Sequence, residues 1–186
     1  MSYNRHMKLI FVRHGQSEAN AAGILAGQEI DSPLTERGEE QVRTARERLT
    51  MHIDSIISSP LKRAAETAAI INEKLHLPIE FRDEVKECSN GSLSTHTWEE
   101  ATRITGDPLF SQHDLECTYD YTPYGGESGE QVKNRVKTFV DSLFREHKDK
   151  IIVVTAHGGI INAMHALYPQ KTAWDTDNAV THEFDF

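Results

Sequence analysis

This sequence predicts an α/β fold, a three-layer α/β/α sandwich around a mostly parallel sheet, and three observations predict it. Short apolar runs rich in β-forming residues recur at 8–12, 54–59 and 150–156. Stretches of helical periodicity separate them, and strand–helix alternation builds parallel sheets covered on both faces. The chain has 186 residues, 38% of them hydrophobic, enough for one sizeable core and short for two domains.

The elements follow in chain order. "MSYNRH" is polar and patternless and reads as an added leader, with the natural start at Met7. Lys8–Val12, "KLIFV", is a short continuous apolar run that suits a buried strand. In "SPLTERGEEQVRTARERL" Thr35 is placed to cap a helix whose apolar side is Leu34, Val42, Ala45 and Leu49. "DSIISS" (54–59) is a short buried strand. "PLKRAAETAAIINEKL" is a helix that opens at Ser59 and Pro60. "LPIEFRDEV" is a further strand. Residues 88–127 lose periodicity and read as a polar, aromatic-dotted lid. From Ser128, the residues Val132, Val136, Phe139, Val140 and Leu143 fall on one helical face. "KIIVVTA" (150–156) is the clearest strand, "HGGIINAMHAL" opens a helix, and "NAVTHEFDF" closes as an alternating strand.

Composition narrows the function. The net charge is −9 with no basic run, which argues against nucleic acid as a partner. No apolar run reaches transmembrane length, so no membrane is expected, and a cytoplasmic location follows from the absence of a secretory segment. Cys88 and Cys117 lie in a loop-rich stretch and are expected as reduced thiols, with a disulfide between them as the alternative. The ten histidines show no zinc spacing, so neither metal nor cofactor is expected.

"FVRHGQSEAN" (11–20) runs an apolar strand straight into Arg13 and His14. Taken alone it leaves two readings open, a solvated strand end or a ligand at the carboxyl edge of a sheet. The pattern then recurs. "VVTAHGG" carries a strand into His157 and a helix start, and "IISSPLKRAAETA" puts Arg63 in a first helical turn. Parallel strands end on one side, so Arg13, His14, Arg63 and His157 converge there with helix amino ends. Guanidinium groups suit phosphate geometry, and the set makes an anion pocket.

These residues resemble the histidine phosphatase superfamily, the phosphoglycerate-mutase-like group, in its small phosphatase branch. "FVRHGQSEAN" is similar to its RHG signature, with Asn20 at the position of a phosphate-contacting asparagine. "LTERGEEQ", "SSPLKRAAETA", "GGES" and "VVTAHGG" resemble its further motifs, in its order. The resemblance spans most of residues 8–186 and implies one histidine phosphatase domain over 1–186, with 88–127 as a lid-like insertion over the active site. It implies a phosphomonoesterase acting on a small phosphorylated metabolite, as a monomer or homodimer. His14 would be the nucleophile that becomes a phosphohistidine, and Arg13, Arg63, Asn20 and His157 would hold the phosphoryl oxygens. Glu87 in "VKECSNGSL" would be the proton donor, with Asp83 and Glu84 as alternatives, because the family's usual FGxWEG continuation is missing here.

Blander readings stand beside these. Arg63 is alternatively an exposed helix arginine pairing with Glu66, and Asn20 a turn residue. Ser17 and Gln28 read as loop residues, Glu127 as a helix N-terminal acid, and His96 and His113 as solvated. Trp98, Phe110, Tyr119, Tyr121 and Tyr124 read as lid packing and Cys88 as filler. The rival functions are a phosphoglycerate-type phosphomutase and a non-catalytic phospho-ligand-binding module. The moderate polar lid leans to hydrolysis, and the retention of all four core residues leans to catalysis.

Overall fold

The computed structural model describes residues 7–169 and 177–186, so the reading of "MSYNRH" lies outside the described residues. Its five strands are β1 (Lys8–Arg13), β2 (Ser55–Ser58), β3 (Ile79–Phe81), β4 (Ile151–Ala156) and β5 (Thr181–Asp185), in the order β3-β2-β4-β1-β5. All neighbours run parallel except β5, which pairs antiparallel with β1.

The α/β/α layering follows from the pleat. Successive strand residues face opposite sides. Leu9 and Phe11 of β1, Ile57 of β2, and Ile152 and Val154 of β4 pack on one side. Their partners are α6 (Gly129–Glu146) and α7 (Gly158–Leu167), through Val132, Val136, Phe139, Val140 and Leu143 of α6 and Ile160, Ile161 and Met164 of α7. Ile10, Val12 and Val153 point the other way, onto Val42 and Ala45 of α2 (Glu36–Arg48) and Ile70 and Ile71 of α3 (Lys62–Leu75). Full burial of each such side chain contributes about 1.5–3 kcal/mol. Strand β5 covers the β1 edge with His182 and Phe184 inward and charged residues outward, which is the alternation its sequence shows.

The starts of α2 and α6 match their local chemistry, and that of α3 departs from it. Thr35 caps α2 by accepting from the Gly38 N–H, and Ser128 caps α6 in a capping box with Gln131. Helix α3 begins two residues later than its Ser-Pro opening suggests, with Leu61 as the uncapped N-cap. Ser59 is drawn off because it extends the β2 ladder, its N–H bonding to the Thr155 carbonyl.

Residues 88–127 are more ordered than their missing periodicity suggests. They hold α4 (Trp98–Thr105), opened by a Thr97–Glu100 capping box, and α5 (Phe110–Leu115). Elements this short bury too few residues to show a period; Ala101 and Phe110 are the only fully buried positions in them. Among the described residues no helix is long and apolar enough to cross a membrane.

Candidate active site

Register brings the site together. Arg13 pairs with Ala156 across β1 and β4, and Ser58 pairs with Thr155 across β2 and β4. The next residues, His14, Ser59 and His157, therefore leave the sheet side by side at its carboxyl edge. The His14 N–H still bonds to the Ala156 carbonyl at 3.0 Å, which fixes where its side chain starts.

Gly15 allows this turn. A Cβ there would stand 2.3 Å from the Gly38 carbonyl oxygen, and one on Gly38 would stand 2.1 Å from that of Gln16. Backbone packs on backbone, which is why both the "RHG" and "TERGEE" stretches need glycine.

His14 is buried, and its Nδ1 lies 2.7 Å from the Gly15 carbonyl. A carbonyl only accepts, so Nδ1 carries the proton and Nε2 presents a lone pair. Arg63 Nε donates to that Nε2 at 3.3 Å. Burial first, then the charges of Arg63 and Arg13, hold the His14 pKa well below 6.5, so the ring is neutral at pH 7.

Arg63 is 2% exposed, which excludes the reading of an exposed helix arginine. Its Nη atoms donate to the Gly27 and Ile30 carbonyls at 2.8 and 3.1 Å, and Glu66 instead accepts from the Leu34 N–H. The guanidinium is thus aimed by backbone, which preorganises its charge.

His157 is fully buried, with its ring 5.2 Å from that of His14. It is not among the residues that line the cavity beside His14. Its Nε2 is 2.8 Å from Ser59 Oγ, and its Nδ1 has no hydrogen-bond partner among the described residues. Burial, followed by Arg63 and His14, lowers its pKa well below 6.5.

Arg13, His14, Asn20, Arg63 and Glu87 all line one cavity. Asn20 closes the capping box of α1 (Glu18–Ala21) with Ser17, so it is more than a turn residue. Its Oδ1 accepts from the Ser17 N–H and from Asn178 Nδ2, which leaves its amide N–H groups for a ligand.

Glu87 Oε1 accepts from the Cys88 N–H at 2.8 Å and from the Gly159 N–H, at the start of α7, at 3.1 Å. A Cβ on Gly159 would meet that oxygen at 2.5 Å. Asp83 and Glu84, the alternatives, sit in a short 3-10 turn and do not line this cavity.

The loop that carries Glu87 is braced from behind. Arg135 of α6 bonds both oxygens of Glu127 at 2.9 Å, and also reaches the Glu84, Lys86 and Glu87 carbonyls at 2.8, 2.8 and 3.0 Å. Gln28 Nε2 joins the same knot through the Glu87 carbonyl and Glu127. Glu127 precedes the Ser128 cap and is an ion-pair partner rather than a helix N-terminal acid. Burial pushes its pKa up and Arg135 more than offsets that, so it stays below the ordinary carboxylate range.

Several contributors carry weak sequence signals or none. Ser59 orients His157, and Asn178 donates to both the His14 carbonyl and Asn20. Thr67 Oγ1 accepts from the Gly15 N–H. Asp114 lines the cavity from the lid, and Trp98 lines it besides packing at a tilt against Phe110, ring centroids 5.5 Å apart. His113 is paired with Asp107 at 2.7 Å rather than simply solvated. Cys88 and Cys117 are buried free thiols. Among the described residues no group of three or more His, Cys, Asp or Glu side chains is placed to hold a metal ion.

The profile of the histidine phosphatase superfamily (branch 1) matches residues 9–183. The chain is 34% identical over 174 residues to a metal-independent phosphoserine phosphatase of Arabidopsis thaliana, covering 89% of this chain and 70% of that one. A mycobacterial glucosyl-3-phosphoglycerate phosphatase, solved with VO3, superposes with a TM-score of 0.81 at 28% identity over 95% of this chain and 91% of that one. A phosphoglycerate mutase from Bacillus anthracis shares the fold, with a TM-score of 0.84 at 23% identity over 97% of this chain and 88% of that one.

Proposed function

The chain belongs to the histidine phosphatase superfamily, and from that premise we propose that it is a phosphatase that hydrolyses a small phosphorylated metabolite through a phosphohistidine at His14. One observation carries the reading. The Gly15 carbonyl holds the Nδ1 proton of a neutral, buried His14, so its Nε2 lone pair faces the cavity that Arg13 and Arg63 make cationic.

The steps follow from charge and reach. Substrate phosphate displaces the Arg63 contact at Nε2, and the guanidinium groups of Arg13 and Arg63 take the phosphoryl oxygens. The Asn20 amide adds a donor. His157 Nε2 meets Ser59 Oγ, which also accepts from the Leu61 N–H at 3.3 Å, and this holds the His157 ring against that of His14. Nε2 attacks phosphorus as the P–O bond to the leaving alcohol breaks. Glu87, as the general acid, gives that oxygen a proton. Water then attacks the phosphohistidine, Glu87 takes its proton, and inorganic phosphate leaves with His14 restored. Fixed cations stabilise both transition states, because phosphoryl transfer is mostly positioning and charge. Residues 88–127 act as the lid of a single domain. The buried free thiols fit a reducing, cytoplasmic setting.

The test is covalent trapping. Brief mixing with acetyl phosphate should leave an acid-labile, alkali-stable phosphoryl group on His14, found by mass spectrometry. His14→Ala should abolish both the label and p-nitrophenyl phosphate turnover. A label that survives this substitution overturns the reading.

A further inference from the structure

The cleft has an inner half around His14 and an outer half beyond it. The inner half is lined by both guanidinium groups, Arg13 and Arg63, along with the carboxyl groups of Glu87 and Asp114. It opens into a second cavity of about 320 Å³, with which it shares Arg13, Glu87, Trp98, Asp114 and Gly159. The ionisable groups on the wall of the outer half are Arg13, Glu87 and Asp114. With Arg13 engaged by phosphate, the outer half is left acidic.

Asp114, from α5, is the unassigned member. The Tyr121 hydroxyl donates to its Oδ1 at 2.6 Å, which fixes the carboxyl and leaves Oδ2 for a ligand. It feels Glu87 as a like charge and Arg13 as an opposite one, so all three groups act on one space. A second, independent feature points the same way. Asn162 of α7 lines the outer cavity at 5% exposure, and its Oδ1 is buried without a hydrogen-bond partner among the described residues. A buried acceptor left unmet is costly, and a hydroxyl donor on a ligand would meet it. Trp98, on the lid side, adds a ring face that suits the C–H side of a polyhydroxylated carbon chain.

We propose that Asp114, Asn162 and Trp98 form the leaving-group subsite, and that Asp114 makes the enzyme select phosphate esters of uncharged polyhydroxy alcohols over those whose alcohol carries a carboxylate. Hydroxyl donors satisfy the two acceptors, whereas a carboxylate would face Asp114 with no added cation. The inference rests on the phosphatase reading above and narrows its substrate class.

Two nearly isosteric esters test it, sn-glycerol 3-phosphate and 3-phospho-D-glycerate, which differ chiefly by CH2OH against COO−. Wild-type kcat/KM should favour the glycerol ester by about tenfold or more. Asp114→Asn keeps an acceptor for Tyr121 and removes the charge, so the ratio should narrow by about tenfold. Asp114→Leu should pull glycerol 3-phosphate down toward n-propyl phosphate, which has no further hydroxyl. Equal or better wild-type turnover of phosphoglycerate overturns the proposal, as does an Asp114→Asn variant that slows both esters in proportion. Wild-type hydrolysis of p-nitrophenyl phosphate reports the phosphatase reading separately. If that activity is absent, calorimetric binding of the same two esters to the wild-type protein reads the subsite directly. Tighter glycerol phosphate supports it, and equal or tighter phosphoglycerate overturns it.

Discussion

Arg135→Met would cut the brace behind Glu87 while keeping a side chain of similar length on α6. The guanidinium makes two bonds to Glu127 and one to each of the Glu84, Lys86 and Glu87 carbonyls. The side chains of the pair are only 19% and 24% exposed. Removing one partner of a pair this enclosed strands the other charge and costs about 3–5 kcal/mol. For a chain of this length the melting temperature should drop by roughly 10 °C. Without Arg135, only the Ser89 N–H and Gln28 are left to oppose burial at Glu127, so its pKa rises. In the wild type the paired carboxylate is depressed and contributes its stability above the unfolded value near 4.5. The variant's deficit should therefore be larger at pH 8 than at pH 5. Scanning calorimetry at both pH values measures it, and initial rates on alkyl phosphates against p-nitrophenyl phosphate report the loosened Glu87 loop. Alkyl esters should lose more. A melting shift under 2 °C, or a deficit independent of pH, would refute the reasoning.

Two further outcomes are expected. Glu87→Ala should slow alkyl phosphates by about 10²–10⁴-fold and p-nitrophenyl phosphate far less in the early burst, because nitrophenolate leaves without a proton; equal losses would make Glu87 structural. His14 and His157 are held well below 6.5, by burial first and then by nearby cations, so the unfolded chain binds protons below pH 6.5 that the folded one refuses. Their contribution, present above pH 6.5, should be lost as pH falls below it by up to about 1.4 kcal/mol per pH unit for each ring. Burial raises Asp114 to about 6, outweighing Tyr121, and acts in the opposite sense, so the slope is best read by subtracting that of His157→Gln. Identical slopes for wild type and His157→Gln between pH 7 and 5 would contradict the assignment.

The sequence alone determined the layers and the edge where chemistry gathers. Apolar runs such as "KLIFV" and "KIIVVTA" carry strand information locally, and parallel pairing sends their ends to one side whatever the register. Arg13, His14 and His157 follow those runs directly, and Arg63 opens the helix after one, so their meeting was legible in one dimension. The glycines of "RHG" and "TERGEE" were legible as motifs, but the contact between Gly15 and Gly38 that requires them was not. What only the tertiary structure decided depends on side-chain atoms from segments far apart. Asp114 and Asn162 meet one cavity from α5 and α7, and Arg135 reaches Glu127 and three carbonyls at once. Likewise, the His157 ring packs 5.2 Å from that of His14 without lining the cavity. Hydrogen bonds act over about 3 Å and carry no period along the chain, so such groupings leave no local trace and become visible only once the sheet and lid have brought the segments together.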